Sequence, residues 1–152
     1  MLKSLKMAIV AGFMLACAGA VVPATAGTPE QAKALAEKAA ALVASDGEKA
    51  FPMLNDPKGA YVEGDLYVAV LDHKGVVHAN ANPKLIGLNL WDAVDPDGVK
   101  FTQEIVKVGD ASGTGWVSYK FTNPATKKIE PKKTWVHRVG DFIVLCGAYV
   151  TE

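Results

Sequence analysis

Aromatic and cationic side chains crowd the last third of the chain: Trp116, Tyr119, Lys120, Phe121, Lys132, Lys133, Trp135 and Tyr149. Residues of these types can do two things. Rings packed in a core with solvated lysines around them are the simpler account, because aromatic stripes usually mean core. Alternatively, a lysine ammonium and tyrosine hydroxyls can hold a small carboxylate while aromatic walls enclose its short apolar tail.

Other chemistries find less support. His73 falls in a hairpin loop, His78 on one strand and His137 on another, without the spacing that makes metal ligands converge, so no metal site is expected. Gly113-Thr114-Gly115 precedes a strand, so no helix N-terminus is aimed at a phosphate there. Ser112 and Ser118 lack the local signature of an activated nucleophile. Cys146 sits in the apolar run Phe142 to Gly147, where cysteine behaves as a small buried hydrophobe. A thiol enzyme using Cys146 and His137 stays an alternative that requires an accessible, reactive thiol.

The 152 residues carry 16 basic and 16 acidic side chains, with half the residues hydrophobic, a balance that excludes disorder and a nucleic-acid-binding arm. Lys3 and Lys6, an apolar stretch from Met7 to Val22, and the small-x-small Ala24-Thr25-Ala26 read as a secretory leader of residues 1–26. Cleavage after Ala26 leaves one domain, residues 27–152, without a membrane span. A lipid-anchored form at Cys17 is the weaker alternative, because Met14-Leu15-Ala16 is a poor lipobox. In the mature chain Cys146 has no cysteine to pair with.

The elements follow from capping and periodicity. Thr28-Pro29-Glu30-Gln31 opens a helix with a capping box, and Ala32, Leu35, Ala36, Ala39, Leu42 and Val43 form its inner stripe up to Asp46-Gly47. Strands are expected at 66–71, 76–79, 116–121, 134–139 and 142–150, with the first two joined through Asp72-His73-Lys74-Gly75. Asn82-Pro83 and Asp95-Pro96 look like helix openings, which makes residues 82–112 a mostly helical insertion. The result is an α+β domain: a five-stranded antiparallel sheet with the long N-terminal helix on one face and the insertion covering the other. A sheet roofed by irregular helices leaves a cavity for a small ligand.

Six segments in order resemble the single Cache domain, type 2. They are Gly64 to Asp72, Asn82 to Gly87, Asp95-Pro96-Asp97-Gly98, Gly115 to Tyr119, Pro131 to Val136, and Gly147-Ala148-Tyr149. The resemblance implies a PAS-like extracytoplasmic sensor without catalysis or cofactor, whose ligands are commonly short organic acids such as acetate, propionate, pyruvate or lactate. By position it implies a ligand-binding set of Tyr67, Trp116, Tyr119, Lys132, Trp135 and Tyr149, with Lys132 as the carboxylate partner and His78 matching a histidine near the end of the second strand. Regular alternation puts Lys132 and Trp135 on opposite faces, while Pro131 can interrupt the pairing and change that phase. Leu145 stands where the family often has glycine, which narrows any pocket on its face, and Trp135 replaces a more usual tyrosine. The expected function is periplasmic binding of a C2–C4 carboxylate and its presentation to a membrane receptor or kinase. The alternative is an interaction module with a collapsed pocket.

Overall fold

The computed structural model describes residues 26–151; residues 1–25 of the expected leader lie outside them. Helix α1 spans Pro29–Asp46 and begins as its sequence dictates: the Thr28 hydroxyl accepts from the Gln31 N–H, and the Gln31 side chain accepts from the Thr28 N–H. Three alanines on its inner stripe, Ala32, Ala36 and Ala39, are completely buried. Their small side chains let the helix lie close on the sheet. A single 3-10 turn at Gly47–Ala50 leads into the short helix α2, Phe51–Asn55.

Among the described residues the sheet is antiparallel and has six strands: β1 (Val62–Glu63), β2 (Leu66–Asp72), β3 (Val77–Asn80), β4 (Thr114–Thr122), β5 (Ile129–Val139) and β6 (Phe142–Tyr149). The hydrogen-bonded order is β1-β2-β6-β5-β4, and β3 also pairs with β2. Five of these strands match the expected ones; β1 is an additional two-residue strand that pairs with the start of β2. Helix α1 and α2 cover one face over Val68, Val70, Val144, Cys146 and Ala148. Helix α3, Phe101–Ser112, covers the other over Ala69, Leu71, Val117, Val136, Ile143 and Leu145.

Two expectations need correction. Residues 82–112 are not mostly helical, since only Phe101–Ser112 forms a helix. Before it, Asn and Asp side chains bind nearby backbone N–H groups and favour successive turns over a helix. Asn82 Oδ1 accepts from Lys84, Asn89 Oδ1 from Trp91, and Asp95 Oδ1 from Asp97 and Val99. Pro131, moreover, interrupts nothing: β5 runs through it in continuous register with β4, from Thr122↔Ile129 to Thr114↔His137.

Asp95 ties this irregular roof to the sheet, because its second oxygen accepts from the Lys120 N–H of β4 at 2.9 Å. That N–H, against the opposing effect of burial and together with the Val99 and Asp97 N–H groups, holds the Asp95 carboxyl below the usual aspartate range. A carboxyl lowered in the folded state stabilises the protein above its unfolded pKa of about 3.9, and that contribution disappears as pH falls through the folded value. Asp95→Asn places an amide against one of these N–H donors. Thermal melts of the variant should show a midpoint several degrees lower at neutral pH and a shallower loss of stability below about pH 4.

Candidate functional site

Strict alternation along β5 sends Lys132, Thr134 and Val136 towards α3, and Trp135 towards α1. Lys132 is opposite Tyr149 of β6, and Thr134 is opposite Gly147. The lysine stem crosses Gly147 so closely that a Cβ there would come within 2.6 Å of Lys132 Cε. Glycine in the middle of an apolar strand therefore makes the space in which the lysine lies.

Only 3% of Lys132 is exposed, and its ammonium is surrounded by phenols. Nζ donates to Tyr67 Oη at 2.9 Å and to Tyr149 Oη at 3.4 Å. It also lies 4.1 Å from the Tyr67 ring centroid, 4.8 Å from that of Tyr149 and 5.6 Å from that of Phe121. Tyr149 donates its own hydrogen to the Thr122 carbonyl at 2.7 Å, which fixes its oxygen as an acceptor towards the lysine. Thr134 donates to Tyr119 at 3.1 Å, and Tyr119 stacks on Phe101 of α3.

Burial works against the charged ammonium, but Tyr67, Tyr119 and Tyr149 outweigh it and hold the Lys132 pKa above the ordinary lysine range. The group is thus a cation at neutral pH. Burial likewise raises the Tyr119 and Tyr149 pKa values, so both phenols stay neutral. Among the described residues no carboxylate forms an ion pair with Lys132. The site therefore combines a buried lysine ammonium with the neutral hydroxyls of Tyr119 and Tyr149.

A cavity of about 40 Å³ adjoins this charge, lined among others by Tyr67, Thr102, Ile105, Tyr119, Lys132 and Leu145. One water needs at least about 10–15 Å³ on this measure, so there is room for about three such spheres. A larger outer cleft of about 510 Å³ shares Tyr67, Asn80, Leu85 and Phe121 with it. These four residues form the partition between solvent and the inner charge. Thr102 is fully buried in the first turn of α3, and its Oγ1 has no hydrogen-bond partner. A fully buried hydroxyl without a partner lacks about 1–3 kcal/mol of compensation.

The structure thus gathers Tyr67, Tyr119, Lys132 and Tyr149, and leaves three expected residues apart. Trp116 and Trp135 pair edge to face at 5.0 Å on the α1 face, where the Lys33 ammonium lies 4.4 Å from the Trp135 ring centroid. Alternation puts them on the opposite side of the sheet from the ammonium. His78 is turned away by a bulge between Val70 and Leu71. Its Nε2 is 3.0 Å from Asp72 Oδ2, and its ring packs near Phe51 and Phe142 beneath the helices of the other face. Thr102 and Gly147 belong to the site but were absent from the expected set. Their signals were a hydroxyl on the apolar stripe of α3 and a glycine inside the most apolar strand. Cys146 faces α1, and burial pushes its thiol up to about 12 despite the pull of the Lys132 charge. It carries no thiolate at neutral pH.

The family model for Single Cache domain 2 matches residues 21–152, and the chain belongs to that family. Solved structures agree in fold. A methyl-accepting chemotaxis protein from Vibrio parahaemolyticus is 20% identical with a TM-score of 0.68, over 79% of this chain and 86% of that one. A periplasmic sensor domain of a chemotaxis protein is 28% identical with a TM-score of 0.63, over 80% and 90%. A Cache chemosensory domain described for carboxylic acid recognition is 23% identical with a TM-score of 0.61, over 80% and 88%.

Replacing a buried ion pair by apolar side chains of similar volume is often neutral or stabilising by about 1–4 kcal/mol, and an ammonium without a counter-charge has less attraction to lose. Lys132→Met should therefore match or exceed the wild type in melting temperature in buffer free of organic anions, as differential scanning calorimetry would show. A large fall would mean that the ammonium is already compensated.

Proposed function

We propose that this domain is a periplasmic sensor for short carboxylates, and that the acid binds with its carboxylate on Lys132 and presents its bound state to a membrane receptor or kinase. The observation that carries this reading is a buried lysine whose Nζ is ringed by phenols, with no carboxylate paired to it among the described residues. Leaving a buried charge uncompensated costs several kcal/mol, and an anionic ligand supplies the missing partner. Tyr67, Tyr149 and Tyr119 frame the anion, and Phe101, Ile105 and Leu145 surround its short tail. The unpaired Thr102 hydroxyl suits a hydroxyl group on the carbon next to the carboxylate. The small cavity favours two-carbon acids, whereas four-carbon acids require the roof segment to move.

Several considerations support the reading. The chain belongs to a family of sensor domains, one similar structure is a periplasmic sensor domain, and another concerns carboxylic acid recognition. No described helix is long and apolar enough to cross a membrane.

The tightness of the inner cavity favours one rival: an interaction module that binds no ligand. Thermal shift with acetate, glycolate, propionate, lactate and succinate separates the two. Saturating ligand at about 100 times its Kd adds about 2.7 kcal/mol of stability, so a binder must raise the melting temperature. The smaller acids should shift it more than succinate, and Lys132→Met should abolish every shift while the protein stays folded. Thr102→Val should weaken glycolate about fivefold and leave acetate unchanged, as expected for losing one hydrogen bond worth about 1 kcal/mol. No shift with any acid at millimolar concentration favours the interaction module.

A further inference from the structure

Asp65 carries the opposite problem to Lys132. It sits in the tight turn between β1 and β2, and only 5% of it is exposed. Its one hydrogen bond among the described residues is from the backbone nitrogen of Gly27, which reaches Oδ1 at 2.8 Å. No described cation forms an ion pair with it. A nearly buried carboxylate held by a single neutral amide is poorly compensated.

Gly27 is fixed in place from both sides. The next residue, Thr28, caps α1. A Cβ on Gly27 would come within 2.6 Å of the Leu66 methyl carbons, and Leu66 is only 1% exposed, so glycine alone allows the chain this approach. The residue before it, Ala26, is exposed. Ala26 also closes the Ala24-Thr25-Ala26 pattern that leader peptidases accept.

We propose that proteolytic processing between Ala26 and Gly27 creates an ammonium that completes the fold by pairing with Asp65. A leader peptidase, with water as co-reactant, breaks the Ala26–Gly27 amide bond. The water oxygen goes to the Ala26 carbonyl carbon and leaves a carboxylate on the departing leader. The two water hydrogens become the extra protons of the Gly27 amine, now an ammonium. That ammonium stands where the amide stood, 2.8 Å from Asp65 Oδ1, with a full charge and three donors in place of one. Charge-assisted hydrogen bonds are about twice as strong as neutral ones. Removing the leader then does more than release the domain: it neutralises the carboxylate under the start of α1.

Intact-mass and N-terminal analysis of protein exported by a bacterial host should give a chain starting at Gly27; any other start overturns the proposal. Three purified forms test the role of the charge: one starting at Gly27, the same form acetylated on its α-nitrogen, and one extended by Ala26. The free Gly27 form should melt several degrees above both others, and equal melting temperatures overturn the proposal. Asp65→Asn should remove the difference between free and acetylated forms. If that variant does not fold, the three wild-type forms still decide. None of these measurements involves an organic acid, so the result is independent of the sensor reading.

Discussion

Among the described residues, the buried cation Lys132 organises the sheet face that packs under α3. Lys132 must stay charged, because the surrounding phenols favour its ammonium over its amine, and it must stay buried, because Gly147 and the rings of Tyr67, Tyr149 and Phe121 enclose it. Proteins rarely keep such a charge without a partner. Here the phenol oxygens provide partial compensation, and a small anion would provide the rest. An anion bound at Nζ would therefore link its binding energy to the folding energy at one atom.

The remaining architecture can be understood as support for that atom. Helix α1 seals one face of the sheet with its buried alanine stripe, while Lys33 at its side lies over the Trp135 ring. On the other face the roof is looser, built from Asn- and Asp-stabilised turns pinned to β4 through Asp95. The roof helix α3 contributes Phe101 and Ile105 as walls and Thr102 as an unpaired hydroxyl. Tyr67, Asn80, Leu85 and Phe121 stand between the inner cavity and the outer cleft beneath this irregular roof. The exposed apolar side chains Ile86, Leu88, Trp91 and Val94 lie on the same roof segment.

Much of this was legible in the amino-acid order, for identifiable reasons. The Thr28–Gln31 capping box and the helical spacing of the alanines are local signals, and five strands follow from β-type runs bounded by turns. The register of β5 was legible in part: alternation alone separates Lys132 from Trp135, and only the proline left the phase open. The 82–100 segment was misread because Asn-Pro and Asp-Pro serve both helix caps and Asx turns, and tertiary contacts such as Asp95 to Lys120 decide between them. The bulge that turns His78 away depends on how β3 meets β2, which no local pattern encodes. The roles of Thr102 and Gly147 depend on cross-sheet neighbours far away in sequence.

The most direct measurement is of the Lys132 ammonium itself, by nitrogen-edited NMR at neutral pH during titration with acetate. A buried, slowly exchanging Nζ resonance should be present before ligand and should move saturably as acetate is added, while the solvated lysines stay still. A Lys132 signal that is neutral, or that remains fixed at millimolar acetate, would contradict a charged site awaiting an anion.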